Sequence, residues 1–342
     1  MTSSPRGNIE PSHRFLFNGG AWLARAFKKA GRPINRILLL CWLALVPISC
    51  WAENLQVIVL LKENSTSYLS FARAFSGNLP DRIQSTVIDL PDQFHQTLPQ
   101  ADLIVSVGLK ATELAAMQSN VPVLAVMVTQ SNYESLPVQP TSGKSAPTIS
   151  AIFLDQPWDR QFDFLNAALP GQDRIGLLHT SGIQIDLAQL SKDVAKQGRT
   201  LVAKPVRSIS ELFTQLEAVL SGSDLLLAIP DSQIYSSSNI RNILLTSFRH
   251  KVPLIGLSQA YVKAGALCAI FSTTEQLADQ ARATVAVFAE TGRLPRPQFP
   301  NEFSIEVNTQ VAQSMGIKLP PPEVIRSQMN RPKTDQSREW KQ

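Results

Sequence analysis

The sequence predicts an α/β protein of two similar lobes, and three observations carry that prediction. From Gln56 onward, short apolar, β-rich runs alternate with amphipathic stretches, the pattern of a parallel sheet covered by helices on both faces. The chain has 342 residues and is 44% hydrophobic, enough to bury the cores of two domains of ordinary size. The composition breaks once in the middle, at Ser135 to Pro147 (SLPVQPTSGKSAP), rich in Pro, Ser and Gly and without periodicity. That segment reads as a linker or exposed loop, and strand-then-helix alternation starts again after it, giving two lobes of roughly 100 to 130 residues.

In chain order the first element is a leader. Ile37 to Ala52 (ILLLCWLALVPISCWA) is a short apolar run behind Arg25, Lys28, Lys29, Arg32 and Arg36, the layout of a secretory signal. The run is short for a membrane span and is followed at once by polar Glu53 and Asn54, leaving an uncleaved N-terminal anchor as the alternative. Cys50-Trp51-Ala52 places small residues three and one before Glu53, so cleavage after Ala52 is expected and residues 1–52 form the signal peptide. Ser49-Cys50 resembles a lipoprotein acylation site, which makes lipid anchoring through Cys50 the second reading, although Pro47 suits it poorly. The leader also explains the basic charge. Its seven Lys/Arg and one Glu carry +6, against +5 for the whole chain, which leaves −1 for everything after it. No basic patch or aromatic-interleaved surface argues for nucleic acid. Of the three cysteines, Cys41 and Cys50 leave with the leader, so no intramolecular disulfide is expected, and Cys268 in GALCAIF reads as a buried structural thiol.

The strands then follow as QVIVLL from Gln56, STVIDL from Ser85, LIVSVG from Leu103, VPVLAVMV from Val121, TISAIFL from Thr148, RIGLLHT from Arg174, LVAKPV from Leu201, LLLAIP from Leu225, PLIGLS from Pro253 and ALCAIF from Ala266. Helices are predicted over Tyr68 to Phe75, Ala111 to Gln118, Asp159 to Leu169, Leu187 to Gln197, Ile209 to Leu220, Asn239 to His250 and Glu275 to Thr291, where apolar residues recur at three and four. The end of the chain from Pro321 is polar and Pro-rich and reads as a disordered tail over 321–342.

Tests for catalytic motifs are negative. GLSQA, Gly256 to Ala260, resembles a nucleophile elbow, but a hydrolase of that class carries its histidine after the serine. His13, His95, His179 and His250 all precede Ser258. SGKS, Ser142 to Ser145, lacks the glycine five positions before Gly143, and Ala146-Pro147 interrupts the helix a phosphate loop needs. No G-x-G-x-x-G follows a strand, and neither C-x-x-C nor H-E-x-x-H occurs. The sequence therefore predicts no cofactor, no metal and no enzyme.

In open parallel sheets, ligands gather beyond the carboxyl ends of the strands. That rule selects Lys62 to Ser67, Gly108 to Thr112 and Thr129 to Ser131 in the first half. In the second half it selects His179 to Ser181, Pro230 to Ser232 and Ser258 to Tyr261. These sets are rich in hydroxyls and amides, suited to hydrogen bonds with a small polar molecule whose anionic end meets helix N-termini. Each residue alone is as well explained as a cap or turn residue, whereas two facing sets make a cleft.

Six segments carry a family resemblance: ADLIVSVGLKATELAA from Ala101, VPVLAVMV from Val121, LDQPWDRQFDFLNAALPGQDRIGLL from Leu154, DLLLAIPDSQIY from Asp224, VPLIGLSQAYVKAGAL from Val252 and VNTQVAQSMGIKLP from Val307. From about Asn54 to Pro320 the chain resembles the type I periplasmic substrate-binding proteins of ABC transporters, in particular the tryptophan/tyrosine-type branch. The resemblance implies two Rossmann-like lobes joined by three crossovers: 53–147 with about 273–296, and 148–272 with about 297–320. It implies hinge closure over an amino-acid-like solute, periplasmic location, a monomer, and delivery to an ABC permease in the inner membrane. The family's first-lobe loop more often reads Gly-Thr-Pro-Ala where this chain has Gly108-Leu109-Lys110-Ala111, a departure that sets it apart from standard amino-acid binders.

On this reading Asp231 pairs with a ligand ammonium or hydroxyl, while Lys110, or the helix start at Ala111 and Thr112, faces a carboxylate. Ser65, Thr129, Ser232 and Gln259 supply orienting hydrogen bonds, with Gly108 and Ser258 in the same loops. The rival readings are a sensory module of the same fold signalling to a membrane partner, and a Ser258-dependent hydrolase.

Overall fold

The computed structural model describes residues 54–63, 65–90, 99–137 and 148–329. The expected leader with Cys41 and Cys50, His13, His95, residues 138–147 and residues 330–342 lie outside the described residues.

The first sheet has the order β2-β1-β3-β4-β5, all parallel, from β1 (Leu55–Leu61), β2 (Ile83–Asp89), β3 (Leu103–Val107), β4 (Val123–Val128) and β5 (Ile149–Phe153). Apart from the edge strand β2, which is half polar and largely unburied, its strands are near-continuous apolar runs because both faces are covered. The period of two sorts them: Val57, Val59 and Leu61 face one core with Phe71 and Phe75, whereas Ile58 and Leu60 face another with Ala111 and Ala115. The covering helices are α1 (Thr66–Ser76), α2 (Leu109–Gln118) and the short α3 (Gln130–Glu134).

The second sheet has the order β11-β10-β9-β8-β6-β7, built from β6 (Arg174–His179), β7 (Thr200–Pro205), β8 (Leu225–Leu227), β9 (Leu254–Gly256), β10 (Cys268–Phe271) and β11 (Ser304–Val307). It is parallel except for the edge pair β10–β11. Its helices are α4 (Trp158–Ala168), α5 (Leu187–Lys196), α6 (Leu212–Leu220), α7 (Ile240–Arg249) and α8 (Gln259–Ala264). The α4 helix stops at Leu169, as expected for a residue before proline, which is disfavoured in the helical region. Cys268 is fully buried in this core, and burial pushes its thiol well above the ordinary cysteine value.

Two boundaries differ from expectation. The first half was expected to end at the linker, with the second lobe starting at 148. Yet β5 pairs with β4, so the chain leaves the first sheet only after Phe153. The break in composition therefore falls between two neighbouring strands of one sheet and not between two lobes. The second correction concerns the expected tail from 321. Pro322–Met329 form a helix, α11, whose Ile325 is fully buried in the second core.

The remaining crossovers follow. Helix α9 (Thr274–Thr291) packs Leu277, Ala278, Ala281, Val285 and Phe288 into the first core. It opens with a capping box between Thr273 and Gln276 and ends on Gly292 in the left-handed region, the conformation favoured at a helix C-terminus. The chain then runs beside β5, where Gln298 bridges Ile152, and crosses to β11 and α10 (Thr309–Met315). The three crossovers are tied together. Gln156 Nε2 donates to Ser272 Oγ at 2.9 Å, Ser272 Oγ donates to the Glu302 carbonyl at 2.6 Å, and Arg160 Nη1 donates to Gln156 Oε1 and the Pro300 carbonyl, both at 2.7 Å.

Candidate functional site

Strand order reverses between β1 and β3 in the first sheet and between β6 and β8 in the second, and ligands of such sheets favour those switch points. At the first, Gly108 has φ +82°, and its bare Cα lies so close to the Tyr68 ring that an added Cβ would stand 2.6 Å from it. The N–H of Gly108 donates to the Val126 carbonyl. Lys110 pairs with Glu63 at 2.8 Å, and Ser65 precedes α1 without a side-chain capping bond. Burial, then the nearby Glu63 charge, raises the Tyr68 phenol, with Lys110 acting against them. Thr112 is fully buried, its hydroxyl bonded to Ser106 Oγ and donating to the Gly108 carbonyl. Thr112 therefore holds the α2 start to β3 and presents no hydroxyl to a ligand.

At the second switch point Asp231 is buried, and the loop itself occupies its carboxylate. Oδ2 accepts the Thr180 N–H and hydroxyl, both at 2.8 Å, while Oδ1 accepts the N–H groups of Gln233 at 3.1 Å and Ile234 at 3.4 Å. The expected ammonium partner is thus a structural clamp between the β6 and β8 ends. Ser232 beside it is exposed. Ser258 precedes α8 without a capping bond, and Gln259 lies on the surface between Glu306 and Lys263. His179 ends β6 with Nδ1 against the Thr180 carbonyl.

A cavity of about 250 Å³ lies to one side, among loops that follow β4, β5, β6 and β8. The β4 loop supplies Thr129, Gln130 and Ser131, the β5 loop Asp155 and Gln156, the β6 loop Ile183 to Asp186, and the β8 loop Ile229 and Pro230. Trp158 and Gln161 on α4, Gln189, Leu190 and Asp193 on α5, and Phe299 complete the wall. Of the residues given a ligand-binding role from the sequence, Thr129 alone lines it, together with Gln130, Ser131 and Pro230 from the strand-end loops that the carboxyl-end rule selects.

The wall is held from both sheets. A bulge in β4 at Met127, with φ +55°, sets Val128 opposite Phe153 and turns the chain into Thr129. Thr129 Oγ1 accepts the Asn132 N–H at 3.1 Å and caps α3. Ser131 Oγ accepts the Gln184 N–H at 3.0 Å, joining the β4 loop to the β6 loop. Asp155 Oδ2 accepts the Gln130 N–H at 2.8 Å, but Oδ1 is buried without a hydrogen-bond donor. Burial, partly offset by the N–H groups of Gln130 and of Asp155 itself and assisted by the Glu134 charge, raises the Asp155 carboxyl to about 6.

The model of the family described as ABC transporter substrate binding protein matches residues 81–327, well over half of the chain. The chain belongs to this family. No curated protein matches this substrate-binding protein, whereas solved structures do. They include a conserved domain protein from Vibrio cholerae, with TM-score 0.57 and 18% identity over 80% of this chain and 98% of that one. An ABC domain in complex with L-Trp from Streptococcus pneumoniae has TM-score 0.56 and 16% identity over 80% and 98%. A ligand-free, open substrate-binding protein with adhesive properties from Clostridium difficile has TM-score 0.56 and 16% identity over 79% and 97%. At such identities the likeness concerns the fold, and the fold is that of two-lobed periplasmic binding proteins.

For this substrate-binding protein, Asp155, Gln156, Trp158, the Ile183–Asp186 loop and Phe299 escaped the sequence reading. The carboxyl-end rule would have selected Asp155 and Gln156, which follow a strand, had β5 been given to the first sheet. Phe299 carries no local signal, because it reaches the wall from the third crossover. Among the described residues no group of three His, Cys, Asp or Glu could hold a metal ion, and no helix is long and apolar enough to cross a membrane.

Proposed function

We propose that the chain is the exported solute-binding component of an ABC-type uptake system. It holds a small solute among the carboxyl-end loops of its two sheets and hands it to a permease in the inner membrane. One observation carries the proposal: the cavity wall draws on loops from both sheets, so an occupant would bridge them and favour their closed arrangement. Thr129 is carried forward from the sequence as a wall residue. Trp158, Phe299, Ile183 and Leu190 supply apolar contact, and the glutamines supply orienting hydrogen bonds. The wall's two hydroxyls, Thr129 and Ser131, both accept backbone N–H groups and, among the described residues, meet no histidine, in keeping with binding and not turnover. The L-Trp complex of a structural relative supports a small organic solute, and the leader sequence supports export to the periplasm.

The test is thermal unfolding of the full chain against amino acids, amines, peptides, nucleosides and sugars. A solute at a hundred times its Kd stabilises by about 2.7 kcal/mol, a shift of a few degrees for a protein of this size. Trp158→Ala should weaken that solute's binding. Stabilisation that Trp158→Ala leaves untouched would place the solute elsewhere.

A further inference from the structure

The wall chemistry deepens the proposal above, on which it rests, by indicating the class of solute. Three carboxylates, Asp155, Asp186 and Asp193, line the cavity, and among the described residues no Lys, Arg or His does. Two of the three are already answered by the protein. Asp186 Oδ1 accepts the Gln189 N–H at 2.9 Å and caps α5. Asp193 takes Lys196 Nζ at 2.7 Å and Gln189 Nε2 at 3.0 Å.

Asp155 differs, because its Oδ1 is buried and, its own backbone N–H aside, meets no donor among the described residues. A carboxylate oxygen removed from water without a hydrogen bond is unfavourable, and an isolated instance in a cavity wall calls for an explanation. Two partly exposed rings share that wall. Trp158 is stacked on Phe162 with centroids 6.0 Å apart, and Phe299 meets Phe153 edge-on at 5.2 Å. An unanswered carboxylate beside fixed aromatic rings is the chemistry that receives an ammonium group, through a charge-assisted hydrogen bond and the ring quadrupole.

We propose that the solute is an organic primary amine with an apolar body and a net positive charge, and that Asp155 is its counter-ion. A zwitterionic amino acid suits the wall less well, since among the described residues no cationic side chain lines it to hold the carboxylate. Side chains already occupy N–H groups at two of the helix starts beside the cavity, those of Gln130 and Asn132 on α3 by Asp155 and Thr129 and that of Gln189 on α5 by Asp186, whereas α4, which begins at Trp158, has no side-chain cap. Ile183, Ile185 and Leu190 provide surface for the apolar body.

The experiment is calorimetric titration of the full chain with probes that share one body and differ in charge: phenethylamine, phenylalanine and 3-phenylpropionate, with tryptamine and tryptophan as a larger pair. An amine should bind more tightly than its amino acid, and the acid should not bind. Asp155→Asn, which keeps an acceptor for the Gln130 N–H, should weaken the amine about tenfold to a hundredfold while circular dichroism stays unchanged. Wild-type affinity should also fall between pH 7.5 and pH 5 as the carboxylate protonates, in a wall whose other charges are Asp186 and the Asp193–Lys196 pair, with Glu134 nearby on α3. Amino acids binding as tightly as the amines, amine binding indifferent to Asp155→Asn, or no amine binding at all would each overturn the proposal. The first would leave the solute-binding reading standing. That reading falls separately if no solute of any class binds the chain.

Discussion

Asp155 and Asp231 both follow the end of a strand, yet their surroundings are opposite. Asp231 accepts four protein donors, so Asp231→Ala strands buried N–H and hydroxyl groups of the Thr180 and Gln233–Ile234 loops. Its expected cost is about 3 kcal/mol in urea unfolding. Asp155 is desolvated and only half satisfied, with its carboxyl raised to about 6. A raised carboxyl favours the folded state most at low pH, below the unfolded value, and that contribution is lost as pH rises through 6. Asp155→Asn should therefore raise the melting temperature at pH 7.5, with the gain shrinking toward pH 4.5. Equal gains at both pH values would mean that the carboxylate is not strained by burial. At this scale the sequence was half legible. The break in LLLAIPDSQIY marks Asp231 as a strand-end residue, but its partner Thr180 lies 51 residues away, and nothing local shows that the pair is closed to a ligand.

The elements were legible where they are long. Seven amphipathic helices declare themselves by period, and their ends in the structure fall within a few residues of those read from the sequence. Helices α3, α8 and α10, of five to seven residues, give the period too few turns to register. Helix α11 was hidden by its prolines, although Pro322 occupies its first position, where a missing N–H costs nothing. The placement of β5 was missed for another reason: strand pairing is a non-local choice, and its run ISAIF would suit either sheet. Helix α11 is no ornament. Arg326 lies 4.3 Å from the centroid of the Phe303 ring, which Arg160 also approaches at 5.1 Å, and Arg326 donates to the Phe303 carbonyl. Ile325→Ala should cost about 3 kcal/mol, the usual range for emptying a closed core site. A loss below about 1 kcal/mol would show that the helix is dispensable to the second core.

For the whole molecule, the family and the two-lobed fold were legible from segments spread along the chain, whereas the position of the cavity was not. The switch-point rule directs attention to β1/β3 and β6/β8, and there the polar side chains largely satisfy one another, as Glu63–Lys110 and Asp231–Thr180. In the cavity wall, the half-satisfied carboxylate of Asp155 lies beside the crossovers, where Gln156 both lines the cavity and takes part in the Gln156–Ser272–Glu302 relay. An occupant there would touch the joint between the sheets and could couple binding to its geometry. The central claim, that the chain carries a small solute, is tested most directly by native mass spectrometry of the exported protein purified without unfolding, beside the same sample after denaturation and refolding. A discrete small mass, present in the first and absent from the second, is the predicted result, and the amine proposal further predicts that the released compound is a base. A protein empty in both samples, and stabilised by none of the solutes offered to it, would contradict the account.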